Sequence, residues 1–356
     1  MFNIRATRRR IAVLILVLPL AALAIYVRMH DAAAQLIGPM QAIEVDATPI
    51  ASFDRTDPQR VTFGKLEWRG GLVLTSNAAD FGGWSGLIAD PTGQKIVAVS
   101  DRLRWLRAGI TYAGDRPAGI VNAELGPLAP EDHAMKGLGH DRDAEAIVLL
   151  AGTIDKGELL ISFERKARLA RLAMDGNKLS PVTGYLKPPP EAELLVDNRG
   201  FEAVTMVRGG SQKGAILAIA EHFPDAEDHH SGWLWVNGEP ARFALAAAKD
   251  FDISDAVSLD DGALIVLERR ASLLGGLAMR LRYVAPGSIK PGAVVEGEVL
   301  FESGDDQEID NMEAIAVHRN DKGETILTIM SDDNFSYYLQ KTILLQFALS
   351  PEFAGR

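Results

Sequence analysis

The chain has 356 residues, 47% of them hydrophobic and 24% charged, with a formal net charge of −11. That size and balance specify a globular protein with a large core and exclude a mostly disordered one; the acidic excess argues against a nucleic-acid partner and favours metal ions or other cations. The sequence contains no cysteine, which excludes disulfides, iron–sulfur clusters and thiolate zinc sites.

The N-terminus reads as a leader. A basic flank, MFNIRATRRR, precedes a non-polar run from Ile11 to Val27, interrupted only by the Tyr26 hydroxyl. Ala32-Ala33-Ala34 then offers a small-residue cleavage site. The run is long for a signal peptide and short for a membrane-spanning helix. Residues 1–34 are therefore expected to be a cleaved signal peptide, with TRRRIAV resembling a twin-arginine signal, or an uncleaved anchor helix. In either case residues 35–356 form one exported domain, periplasmic or extracellular, that meets a membrane only through this leader.

From Ile43 to Leu74 the pattern is weak. Beyond it, five hairpins share one grammar: a polar residue, a small residue, an apolar strand, a Gly-bearing turn, a second apolar strand, then an acid. They are WSGLIADPTGQKIVAVSDR from Trp84, AEAIVLLAGTIDKGELLISFER from Ala144, FEAVTMVRGGSQKGAILAIAEH from Phe201, SDAVSLDDGALIVLERR from Ser254 and DNMEAIAVHRNDKGETILTIMSDDN from Asp310. Their leading polar residues, Ser85, Glu145, Glu202, Asp255 and Glu313, recur at spacings of 60, 57, 53 and 58. The trailing acids are Asp101, Glu164, Glu221, Glu268 and Asp332, and each turn sits midway between its pair. In an antiparallel hairpin, residues equidistant from the turn face each other. Each leading residue is thus expected to meet its trailing acid at the open end of the hairpin.

A period near 57 residues with two clear strands and room for two more is that of a β-propeller blade. From Gln35 onward the chain is long enough for about six blades at that period. The sixth is assigned to Ile43–Leu74, closed by a C-terminal strand at Thr342–Leu349, which would leave no sheet edge at the seam. A large β-sandwich is the competing all-β architecture, but it gives no reason for the period. Innermost strands of a propeller line a central channel, so equivalent strand ends form a ring around one mouth. The acids of separate hairpins then converge there.

Such a ring cannot keep every carboxylate ionised and unpaired. Ca²⁺ fits best, because it takes six to eight oxygen ligands with loose geometry. Arginine offers a second neutraliser: Arg102, Arg165 and Arg269 follow trailing acids, and Arg142 and Arg199 precede leading ones. For any single acid, solvating a turn or binding backbone N–H groups is the commoner role. The acidic stretches DHAMKGLGHDRD (132–143) and DAEDHH (225–230) read as solvated loops, and alternating Trp233 and Trp235 as core. GWSGL is near a G-x-S-x-G nucleophile elbow, but Ser85 opens a strand where that motif requires a strand-to-helix turn.

The quoted hairpins, with RGGLVLTS, RDAEAI, NRGFEAV, SDDNF and QKTILLQFAL, resemble the phytase-like family, also described as esterase-like activity of phytase, from about Phe63 to Leu349. SDAV stands where that family carries an E-G-L type segment. The resemblance implies an exported six-bladed propeller with a calcium-supported activity on small-molecule esters or phosphate esters; the chain is expected to be a monomer. Glu145, Glu202 and Glu313 are the expected catalytic carboxylates and, with Asp332, the first choices to hold metal. Asp101, Glu164, Glu221, Asp255, Glu268 and Asp333 are further metal candidates, and Arg102, Arg165 and Arg199 would grip an anionic substrate group. The competing reading is a non-catalytic propeller whose ring holds a structural cation.

Overall fold

The computed structural model describes residues 40–128, 143–164, 166–195, 200–247, 250–272, 276–336 and 338–354. The leader therefore lies outside the described residues, as do Arg142, Arg165, Arg199 and all of the 132–143 stretch except Asp143. Among the described residues no helix is long and apolar enough to cross a membrane.

Five sheets follow one another along the chain, antiparallel except where Val294–Val295 joins Glu239–Leu245 in parallel. Their innermost strands are Trp84–Ala89, Ala144–Gly152, Phe201–Met206, Asp252–Ser258 and Asn311–Arg319, here taken as the starts of blades 1 to 5. Runs such as ILAIA, WLW and LIVLE are apolar on both faces because each blade is covered on both sides by its neighbours. Blade 3 shows this directly. Trp233 and Trp235 pack with Phe201 towards blade 2, whereas Leu234 between them packs towards blade 4. The core is accordingly five clusters, one at each junction: blades 1–2, 2–3, 3–4, 4–5 and 5–1. The ring closes on itself.

The propeller has five blades, which corrects the expected six. Thr342–Leu349 pairs on one side with Thr325–Asp332 and on the other with Leu66–Thr75, in register from Thr342↔Leu74 to Leu349↔Leu66. Only one strand remains after the fifth hairpin, so the N-terminal segment must supply that blade's fourth strand. The residues set aside for a sixth blade are the outer half of blade 5. Closure by strands from both chain ends holds as expected, at one blade fewer. Asp46–Pro49 extends blade 5, and Gln41–Ala42 covers the outer edge of blade 1, so neither edge strand is left as a long bare template.

All five inner hairpins carry the same irregularity. One extra residue enters the inner strand near its start, at Ser85, Glu145, Glu202, Ser254 and Glu313. A bulge turns a side chain off the ordinary alternation and commonly sits beside functional sites. Here it fixes which residues are structurally equivalent, and it changes one assignment.

Candidate functional site at the acidic mouth

In blade 4 the bulged residue is Ser254, not Asp255, and the residue just beyond the paired trailing strand position is Arg269, not Glu268. The ring around the mouth therefore reads Ser85, Glu145, Glu202, Ser254, Glu313 from leading strands and Asp101, Glu164, Glu221, Arg269, Asp332 from trailing strands. The expected head-on pairing is also displaced by the bulge: the Glu164 N–H donates to the carbonyl of Asp143 at 2.8 Å, not to that of Glu145.

Blades 2 and 3 form the anionic side. Asp143, Glu145 and Glu164 bring carboxylate oxygens within 4.8 Å of one another, and so do Glu164, Glu202 and Glu221. Glu164 belongs to both groups. Burial, reinforced by Asp143, Glu164, Glu313 and Asp101, pushes the Glu145 carboxyl well above its ordinary range. Burial followed by the charges of Glu145, Glu221 and Glu164 does the same to Glu202. Asp101, from blade 1, is raised to about 7 by burial and by the nearby Asp332 and Asp143. Its Oδ1 is buried without a hydrogen-bond partner among the described residues. The backbone of Gly83, at φ 66°, passes so close to that carboxylate that any Cβ would collide with it. This is one physical reason for the second glycine of FGGW.

Blades 4 and 5 are partly neutralised. Arg269 forms ion pairs with Glu221 at 2.8 Å and Glu313 at 3.2 Å, and donates to Asn311 Oδ1 at 3.1 Å. Burial works against its charge, but Glu313, Glu221, Glu202 and Asp252 outweigh that and raise its pKa. Glu313 also accepts from Asn311 Nδ2 at 2.8 Å. Burial still lifts it to about 7 despite Arg269, and it lifts Asp332 to about 6 against a hydrogen bond from the Asn334 N–H.

Three expected metal residues are engaged elsewhere. Asp255 points away from the bulge position and accepts from the backbone N–H of Ala256 at 2.7 Å and of Ile315 at 2.9 Å, tying blade 4 to blade 5. Glu268 is fully buried and held between Arg280, at 2.6 Å, and Arg282. Asp333 accepts from the N–H of Gly83 and Phe335 and from the Thr342 hydroxyl, fastening the blade 5–1 seam. Each lies one residue off the ring position, and a one-residue step on a strand turns the side chain to the other face.

Of the expected substrate-binding arginines, Arg102 is described: its guanidinium stacks 3.4 Å from the centroid of Phe335 at the edge of the mouth. Ser85 lies on the strand as expected, its Oγ 3.4 Å from the Gly83 carbonyl. Sequence reasoning missed Asp143 and Asn311. Both stand two residues before a ring glutamate, and that i, i+2 spacing was the available signal. The DAEDHH loop is a self-contained staple, in which Asp225 accepts from the N–H groups of Glu227 and His229 and from His229 Nδ1.

A family profile described as phytase-like, esterase-like activity of phytase, matches residues 79–335. The chain belongs to the phytase-like family. No curated protein sequence gives a significant match. Similar solved structures include the PQQ-bound aldose sugar dehydrogenase of Streptomyces coelicolor, at 13% identity and TM-score 0.37, covering 78% of this chain and 97% of that one. The Cps50 (Swd1) β-propeller domain of Myceliophteria thermophila follows at 8% identity and TM-score 0.37, covering 88% and 96%. The Dos1 propeller has 7% identity and TM-score 0.35, covering 82% and 76%. Likenesses this distant carry no argument about the chemistry of this phytase-like chain, which rests on its own residues.

Proposed function

We propose that this phytase-like propeller is an exported, calcium-dependent hydrolase of phosphate esters or related small esters, acting at the acidic mouth. The observation that carries the reading is Glu164, a buried carboxylate shared by two three-acid groups. Five carboxylates gathered there, with Arg269 pairing Glu221 at their edge, crowd negative charge into a partly dry site. The donor set is all hard oxygen, and the partnerless Asp101 Oδ1 beside it is a further oxygen in want of a donor or cation. Both features fit Ca²⁺. Asp143, Glu145, Glu164, Glu202 and Glu221 are the residues that would hold it.

Bound calcium would polarise an ester oxygen and lower the pKa of a water. The chain's own residues supply the rest. Glu313, with its pKa near 7 and its orientation fixed by Asn311 and Arg269, can take up or give a proton near neutral pH. Arg102, held over the Phe335 ring, presents a cation at the rim for an anionic group. The basic flank and apolar run of the leader support export.

The competing reading, a non-catalytic propeller with a structural cation, is favoured by Arg269, which already neutralises part of the ring. Thermal unfolding with Ca²⁺ and with EDTA, followed by a panel of phosphomonoesters and carboxylic esters, separates the two. The hydrolase reading expects a calcium-dependent rise in melting temperature and a hydrolysis that Glu313→Gln abolishes. A rise without hydrolysis of any ester leaves the cation-scaffold reading, and no rise removes both.

A further inference from the structure

The opposite mouth of the propeller, where the hairpin turns gather, holds a cavity of about 690 Å³. That lies within the usual range of small-molecule sites. It is separated from the acids by the channel neck, where the inner strands leave a cavity of only about 40 Å³. Its walls are largely apolar, with Leu149, Ile154, Met206, Leu259 and Val317. Among its polar lining groups, Arg208 and Lys213 have no partner for their cations among the described residues, and His318 carries a buried unpartnered nitrogen.

Arg208 lines both the neck and this cavity. Its backbone N–H donates to Ser258 Oγ, but among the described residues its guanidinium has no hydrogen-bond or ion-pair partner. The residue is exposed by surface area; nearby protein lowers its pKa and the charge of Asp260 works the other way. His318 is 5% exposed, and its Nδ1 is buried with no partner; burial holds its pKa near 4, so the ring is neutral. The ring is wedged against Gly93, at φ 72°, where no Cβ would fit.

The acids at this mouth are already engaged. Asp260 pairs with Arg319 at 3.2 Å. Asp90 accepts from the Thr92 hydroxyl at 2.6 Å and the Lys95 N–H at 2.8 Å. Lys213 stands at the opening as a second unpaired cation among the described residues. Arg208 and Lys213 are both exposed at the opening, and two cations without a described partner beside an apolar cavity, in a chain of net charge −11, give that cavity the local charge that suits an anion.

We infer that the turn-side cavity is a second binding site, for a small organic anion with an apolar body, whose head group is held by Arg208 with Lys213 and His318. The inference is independent of what the acidic mouth does.

The test uses 1-anilinonaphthalene-8-sulfonate as a fluorescent organic anion and octanoate as competitor, on the full chain. Octanoate is expected to displace the dye saturably, and 1-octanol much less well. Arg208→Gln is expected to weaken both anions by about tenfold, the loss of one charge-assisted contact. The variant should keep its melting temperature, since the guanidinium it removes has no partner. Arg208→Lys should retain most of the affinity, which guards against a folding artefact. Glu164→Gln and EDTA, which act at the acidic mouth, should leave octanoate binding unchanged. Equal affinity of wild type and Arg208→Gln for octanoate, equal competition by 1-octanol, or no displacement at all would overturn the assignment.

Discussion

Blades 2 and 4 present the same backbone to the channel and opposite chemistry. Blade 2 places Glu145 on its bulge and Glu164 at the trailing position; blade 4 places Ser254 and Arg269 there. Blade 2's acids gather within ligand distance of one another. Blade 4's remaining glutamate, Glu268, is turned one step back into the sheet and locked between two arginines. The repeated feature is thus the bulge, which aims a side chain into the mouth, and not the charge it carries. Arg269 pairs with Glu221 of blade 3 and Glu313 of blade 5, so its cation stands opposite the clustered carboxylates of blade 2, and that asymmetry gives the site a direction.

The comparison breaks most visibly at Glu268. Replacing it by Ala leaves Arg280 and Arg282 buried without their carboxylate, a change that typically costs about 3–5 kcal/mol. Urea unfolding should show that loss, while the calcium response of the surviving folded protein stays intact. A large calcium defect in Glu268→Ala would mean that blade 4 does contribute an acid to the ring.

Glu164→Gln is expected to do the reverse. Calcium at a hundredfold excess over its Kd should stabilise the wild type by about 2.7 kcal/mol. The variant should lose most of that gain, because one carboxylate shared by both three-acid groups has been removed. Differential scanning calorimetry with calcium and with EDTA reads the gain in both proteins.

Arg269→Gln sharpens the contrast from the other side. It removes the cation facing Glu221 and Glu313, so stability in EDTA should fall by about 1–3 kcal/mol. Calcium should recover much of it, since the ring then carries one more uncompensated charge.

The smallest effect concerns pH. Glu313 titrates near 7 in the folded protein against an ordinary value of 4.5. A raised carboxyl pKa means that the folded state holds the proton longer, so its contribution to stability is complete below about pH 4 and is lost as pH rises through about 7. In EDTA, wild type should therefore lose stability relative to Glu313→Gln between about pH 5 and pH 8. Parallel profiles for the two proteins would show that Glu313 is not perturbed.

Much of this was legible in the sequence. The hairpin period, the turns and the closing of one blade by both chain ends follow from runs such as EAIVLL and TILLQFAL, because strands covered on both faces must be apolar throughout. The blade count was not legible: outer strands are short and irregular, and nothing local marks Leu66–Thr75 as belonging to the fifth hairpin. The ring assignment failed in blade 4 for a specific reason. Moving the leading residue back by one and the trailing residue forward by one leaves the midpoint unchanged, so symmetry about the turn cannot tell Asp255 and Glu268 from Ser254 and Arg269. Only the bulge does, and a bulge has no sequence signature in SDAV. Asp143 was overlooked because it sits in a loop-like stretch, although its spacing from Glu145 matches that of Asn311 from Glu313.

The most direct measurement is a crystal structure of the protein soaked in calcium, with anomalous scattering to mark the ion. A cation peak coordinated by Glu164 together with oxygens of Glu145 and Glu202 is the predicted result. A well-ordered mouth with no peak at Glu164, or calcium bound only to other carboxylates, would contradict the account.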